Sequence, residues 1–238
     1  MIEALHLCKR YVQGHWYSRN KFQVAALDDV SLTIPPYSSV ALVGESGAGK
    51  STLGRCLSRL EKPDSGEIRF DGKNLLTLQP KESLAMRRSV QFVFQDSAIA
   101  MNPRFSAAEV VEEPLRIQTS LGKKSRRMQA LAMMEQVGIS PDWAGRLALE
   151  FSGGQRQRLA IARALVLKPR LLILDEALSS LDLPTQTQVA DLLLTFQASL
   201  SVAFLFITHD LRLATRIADR IVVMQKGRIV ESDGILAV

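Results

Sequence analysis

The sequence predicts an α/β fold: a mainly parallel sheet with helices packed against it, an antiparallel β layer near the start of the chain, and a helical insertion at about 96–150. Three patterns predict it. Short apolar runs of strand length dominate the first part of the chain. From Ser106 to about Leu149 the apolar positions recur at helical spacing. Beyond Gly154 helices alternate with buried strands, the order that right-handed crossovers of a parallel sheet produce.

Each element has its own signal. Ile2–Leu7, Val30–Ile34 and Ile68–Phe70, the last closed by an Asp71-Gly72 turn, read as the antiparallel layer. Val40-Ala41-Leu42-Val43 is a continuous apolar run and reads as a buried strand. Leu53, Cys56, Leu57 and Leu60 follow at spacings of three and four and predict one face of a helix. Val90–Phe94 is another strand. In the helical stretch Leu131, Met134 and Val137 share a face, and Gly138 is a stop. Gly154–Val166 reads as a helix and Leu171–Leu174 as a strand. Val189, Leu192, Leu193 and Phe196 mark the next helix, with Pro184 suited to its first turn. Val202–Ile207, Leu211–Ala218 and Ile221–Met224 then read as strand, helix and strand, followed by a turn at Gly227.

The chain has 238 residues, 47% of them hydrophobic, enough for a substantial core in one domain or a core plus a subdomain. Its longest apolar runs fall far short of the ~18 residues a membrane helix needs. Glu3 interrupts the start before any signal-like apolar region forms, so a cytoplasmic protein is expected, one able to dock on a membrane partner. Cys8 and Cys56 are the only cysteines and are expected to be reduced and structural. His6, His15 and His209 are scattered, which argues against zinc. The net charge of +6 suits several anionic partners. The one dense basic cluster, Lys123, Lys124, Arg126 and Arg127, reads as a solvated loop between helices. Without interleaved aromatics, nucleic acid is not expected as a partner.

The most specific signal is Gly44-Glu45-Ser46-Gly47-Ala48-Gly49-Lys50-Ser51-Thr52, a nucleotide phosphate-binding loop set between a strand and a helix. Its glycines let backbone N–H groups wrap a phosphate, and the following helix adds positive potential. Lys50 is expected on the β- and γ-phosphates and the Ser51 hydroxyl on Mg²⁺. Leu171-Leu172-Ile173-Leu174-Asp175-Glu176 is a strand ending in two acids, whose burial needs a compensating cation. Asp175 is expected to support the metal, and Glu176 to polarise a water for attack on the γ-phosphate. Phe151-Ser152-Gly153-Gly154-Gln155 opens another helix with a hydroxyl and small residues, a second anion site. One nucleotide has one γ-phosphate, so this second site is expected to serve the nucleotide of another subunit.

Together these segments resemble the ATP-binding subunit of an ABC transporter, essentially over the whole chain. The resemblance implies a P-loop NTPase (RecA-like) core over 1–95 and 151–238, with the antiparallel β subdomain and the inserted α-helical subdomain. Phe151–Gln155 is similar to the family's signature, with Phe for the usual Leu; Ser152, Gly153, Gly154 and Gln155 are implied contacts to a partner's nucleotide. Gln95 matches the Q-loop glutamine, which touches Mg²⁺ and the attacking water. Ser179-Ser180-Leu181-Asp182 matches the D-loop, and His209 the switch histidine that contacts the γ-phosphate. Tyr11 matches the aromatic that stacks on adenine, with Trp16 and Tyr17 close by.

A narrower resemblance, to the peptide/nickel importer subfamily, rests on Phe94-Gln95-Asp96-Ser97, Met101-Asn102-Pro103-Arg104, Glu113-Pro114-Leu115 and Thr208-His209-Asp210-Leu211-Arg212-Leu213. Ala177 stands where most of the family has Pro, and Tyr37-Ser38-Ser39 replaces the usual Gly-Glu. The chain lacks the cysteine-bearing C-terminal extension of peptide-importing relatives, which leans towards the nickel or metal-chelate branch. The implied protein is a peripheral ATPase at the cytoplasmic face of the inner membrane. Its implied partners are a second ATP-binding subunit (a heterodimer first, a homodimer next), two membrane permeases and, indirectly, an external solute-binding protein. The segment after Gln95, with the helical insertion, is expected to dock the permeases. An exporter or lipoprotein-release ATPase shares every catalytic motif and stays open as an alternative. A non-transport ABC ATPase or a regulatory subunit without turnover fits less well.

Overall fold

The computed structural model describes residues 1–13, 22–96, 100–179 and 181–234. Two sheets form. The first is antiparallel: β1 (Ile2–Gln13) and β2 (Phe22–Ile34) pair as a long ribbon. β4 (Ser65–Phe70) and the short β5 (Lys73–Asn74) add to its other edge, in the order β2-β1-β4-β5. The second sheet is built from β3 (Ser39–Val43), β6 (Val90–Val93), β7 (Leu171–Asp175), β8 (Ala203–Thr208), β9 (Arg220–Gln225) and β10 (Arg228–Gly234). Its order is β10-β9-β3-β8-β7-β6, parallel except for the β9–β10 hairpin.

Helices cover this second sheet, which is why its central strands are apolar on both faces: every residue of β3, β7 and β8 is buried. Their alternate side chains feed two cores. Val40, Leu42, Ile173 and Leu205 pack with α1 (Lys50–Leu57) and the antiparallel layer. Ala41, Val43, Leu172, Leu174, Phe204 and Phe206 pack on the other face. That core includes residues of α3 (Ala107–Gln118), α4 (Lys123–Gln136), α5 (Gly153–Leu165), α6 (Leu183–Leu200) and α7 (Leu211–Ile217). Among the described residues no helix is long and apolar enough to cross a membrane. Cys8 and Cys56 are free thiols, and burial pushes the Cys56 thiol up to about 12, which leaves it inert.

The structure departs from the sequence reading in several places. The helix after the phosphate loop stops at Leu57, and Leu60 is 54% exposed rather than on its apolar face. The Ser58 hydroxyl donates to Gly54 O, and Arg59 turns left-handed (φ +58°), which ends the helix before the periodicity does. The basic cluster is no loop: Lys123 begins α4, and Arg126 Nε lies 3.2 Å from Glu112 Oε1 of α3. A helix α2 (Pro80–Ser89) and the edge strand β10 carried no recognised signal. In α2 Met86 is buried among largely polar neighbours, so no apolar stripe was there to find. Gly138 does follow the end of α4, with φ +77°. Tyr37 has φ +62°, a left-handed conformation that glycine takes without strain.

Candidate active site

The parallel register brings four separate segments to one end of the second sheet. Val43 pairs with Thr208, Val93 with Leu174 and Asp175 with Ile207, so the loops leaving β3, β6, β7 and β8 emerge side by side. Ligands of open α/β sheets bind in this crevice, outside the carboxyl ends of the strands.

The loop after β3 folds around its own lysine. Lys50 is 4% exposed, and its Nζ donates to Gly44 O and Glu45 O, both at 2.8 Å. Gly49 has φ +102°, and a Cβ there would stand 2.1 Å from Ala26 O, so only glycine fits beneath the antiparallel layer. Glu45, Ser46 and Gly47 are exposed. The resulting hollow is lined by Ser46 to Thr52 together with Ala26, Arg55, Gln95 and Glu176.

The two acids at the end of β7 play different parts. Asp175 is 7% exposed and accepts a hydrogen bond from Ser51 Oγ at 2.7 Å. Burial raises its carboxyl above the ordinary range; the Ser51 hydrogen bond and the Arg55 charge pull the other way, and neighbouring Glu176 adds to the rise. Glu176 is left-handed (φ +46°), held by its N–H on Ile207 O at 2.9 Å. Its carboxylate accepts from Gln95 Nε2 at 3.1 Å, and its other oxygen lies 3.6 Å from His209 Nδ1. Gln95, Glu176 and His209 are thus brought together, next to Ser51 and Asp175. Asp210 caps α7, accepting from Arg212 N and Leu213 N, and so fixes the turn that carries His209.

A pH dependence follows. Below the ordinary carboxylate value both folded and unfolded chains hold the Asp175 proton, and stability is unaffected. As pH rises through the raised value the folded chain must ionise a buried group, and stability falls. In metal-free, nucleotide-free buffer at neutral pH, Asp175→Asn should therefore raise the melting midpoint, while turnover is lost. Calorimetry against pH checks this; a midpoint lowered at neutral pH would contradict it.

Tyr11 sits beside the start of α1. Its phenol donates to Glu61 Oε1 at 2.6 Å and is hydrogen-bonded to Thr52; burial first, then Glu61, raises its pKa. Trp16, Tyr17 and Ser180 lie outside the described residues. Arg55 escaped the sequence reading. It stands one turn after Ser51 on the same helix, a spacing that already places both on one face, and it borders the hollow and the adjoining cleft of Phe94, Gln95 and Asp175.

The second anion site lies elsewhere. Ser152 caps α5 and its hydroxyl accepts from Gln155 N, while Gln155 Oε1 accepts from Ser152 N at 3.0 Å. Ser152 to Gln155 line an open hollow with Gly138, Arg158, Leu181, Asp182, Thr185 and Gln188. Asp182 caps α6 through Thr185, whose hydrogen bonds hold its carboxyl below the usual range. This hollow shares no lining residue with that of the phosphate loop. A Cβ on Gly153 would meet nothing within 4 Å.

Residues 27–179 match the ABC transporter family. The chain is 43% identical over 97% of its length to a probable peptide ABC transporter ATP-binding protein of Sinorhizobium fredii, spanning 66% of that protein. It is 42% identical over 97% of its length to the dipeptide transport ATP-binding protein DppF of Escherichia coli, spanning 69% of it. The glutathione import ATP-binding protein GsiA of Escherichia coli is 44% identical over 88% of the chain, which spans 34% of that protein. The fold is similar to the dimeric post-hydrolysis ATP-binding cassette MJ0796 bound to ADP and phosphate, with TM-score 0.89, 29% identity and full coverage of both chains.

Proposed function

The chain belongs to the ABC transporter ATP-binding family, and from that premise we propose that it is the ATP-hydrolysing subunit of an oligopeptide-type importer. One observation carries the mechanism: the helix starts at Lys50 and at Ser152 of a single chain open into separate hollows. A nucleotide held by Lys50 and the phosphate loop therefore meets Ser152, Gly153 and Gly154 of a second ATP-binding subunit packed head-to-tail. The empty space over Gly153 is where that subunit's phosphate approaches. A second such chain, related or identical, completes each site.

Mg²⁺ fits the residues present. Ser51 Oγ and Asp175 are hard oxygen donors already in contact, and Asp175 is a carboxylate whose charged form burial disfavours. Among the described residues no three His, Cys, Asp or Glu side chains cluster as a complete metal cage. That suits an ion completed by substrate phosphates. Ser51, Asp175 and Gln95 would hold it, and when bound it would neutralise charge on the β- and γ-phosphates. Lys50 exchanges its two backbone carbonyls for phosphate oxygens. Glu176 takes the proton of the attacking water, with Gln95 and His209 holding its carboxylate and facing the γ-phosphate. Tyr11 presents its ring to adenine, held by Glu61 and Thr52. Subunits close because the closed pair binds ATP with contacts the open pair lacks, and cleavage removes them. Ser179, Leu181 and Asp182 lie on the closing face.

The direction of transport rests on the relatives, which are named for peptides, dipeptides and glutathione; this favours a short peptide over nickel as the cargo. Two permeases dock near the segment after Gln95, placing the subunit at the cytoplasmic face of the inner membrane, and an external binding protein delivers the solute. The division into a core and an inserted helical subdomain at about 96–150 belongs to the same reading.

The test is Ser152→Arg. A cationic side chain over the second site should abolish hydrolysis at the partner's nucleotide, and mixing mutant with native subunits should depress activity in a dominant way. Full activity in mixed complexes would refute the shared site. Uptake of labelled dipeptide and of nickel into vesicles carrying the whole complex would identify the cargo.

A further inference from the structure

We infer that Trp143 is a positioning residue for the second anion site, acting through Phe151 on Ser152, Gly153 and Gly154. This rests on the shared-site reading above. Trp143 ends a short 3₁₀ turn (Pro141–Trp143) in the helical stretch, well before the signature in sequence. Its ring meets the edge of Phe151, with centroids 6.1 Å apart at 63°. Arg146 lies over the Trp143 ring, 4.8 Å from its centroid, so the indole is held between a cation and an aromatic edge.

Phe151 is the residue through which the chain enters α5. Its side chain is 3% exposed, and its carbonyl accepts from Arg156 Nη1 at 2.9 Å. Ser152 follows immediately and is held in its turn by the reciprocal hydrogen bonds with Gln155. The far side of Trp143 is tied to α3: Ala107 N donates to Arg146 O at 2.8 Å, Ala108 N donates to Ala144 O at 3.1 Å, and Ser106 bridges Leu147. A continuous packed path thus runs from the start of α3 through Trp143 and Phe151 to the signature. The edge-to-face pair and the burial of Phe151 hold the entry to α5 against the helical stretch, and so bias how Ser152, Gly153 and Gly154 face outward. Small misplacements of groups that contact a reacting phosphate cost rate steeply.

The experiment uses the full chain in complex with its partner ATPase and permeases, and the full chain alone. Trp143→Leu fills most of the space but removes the ring. It should lower kcat of the complex about tenfold, while the isolated chain, which binds ATP through its phosphate loop alone, keeps its affinity within twofold; the lost ring contacts lower its melting midpoint modestly. Trp143→Phe should recover activity to within a fewfold. Should Trp143→Leu fail to fold, Trp143→Met serves instead, removing the ring with an unbranched chain, and should give a severalfold loss of kcat with the same unchanged affinity. Native kcat in these variants overturns the inference, as does a fall in the isolated chain's ATP affinity that matches the fall in activity, which marks Trp143 as merely structural. Ser152→Arg, run alongside, separates the two ideas. If it inactivates while the Trp143 variants do not, only the positioning role fails; if it too is fully active, the shared site itself is wrong.

Discussion

Glu176→Gln should bind ATP with near-native affinity, hydrolyse it ~10²–10⁴-fold more slowly, the range a lost general base gives, and accumulate a closed two-subunit complex. The amide keeps the shape and the left-handed backbone of Glu176, which is held by Ile207 O rather than by the carboxylate. It still accepts from Gln95, so the neighbourhood of the γ-phosphate survives. What it loses is the ability to take a proton. The closed state then persists because nothing removes the phosphate that both subunits grip. Size-exclusion chromatography with ATP and a single-turnover assay measure the two halves of the expectation. Unchanged turnover would remove Glu176 as the base; a tenfold loss of ATP affinity would make its role one of binding.

Lys50→Ala should lose nucleotide binding outright, by about 10²-fold or more, the scale of a charge-assisted hydrogen bond to phosphate removed from a protected site. The lysine is buried, and before nucleotide arrives it satisfies Gly44 O and Glu45 O. Its ammonium is therefore already aimed into the loop, and little side-chain freedom is lost on binding. The alanine variant forfeits that pre-organisation and also leaves two carbonyls without their donor, so its loop should soften as well. Titration calorimetry with ATP reads the first effect. Native affinity would dissociate this loop from phosphate binding.

The central strands were legible because each is a short apolar run buried on both faces, so composition alone marked them: Val40–Val43, Leu171–Leu174 and Val202–Ile207. The helices with a strong apolar stripe were legible for the same reason. Reading failed where local chemistry outweighed periodicity. Ser58 and the left-handed Arg59 end α1 short of Leu60. The cluster at Lys123 starts a helix, and its Arg126 meets Glu112 on α3, a contact across two elements. The strand β10 exists only by pairing with β9, which no pattern within residues 228–234 announces.

The same division holds for the site. Residues adjacent in sequence set its local chemistry: glycines that let backbone surround a phosphate, a lysine and a serine beside them, two acids at a strand end, a hydroxyl capping a helix. Those signals need only neighbours along the chain, and the sequence by itself determined them, along with the α/β class. Distance in space was decided only by the tertiary structure. Ser51 and Asp175 touch across 124 residues because parallel register aligns strand ends. The same packing sends Ser152 into a hollow apart from Lys50, and sets Trp143 on the edge of Phe151. Such contacts arise from how whole elements pack, an effect summed over many weak interactions that no short stretch of residues encodes.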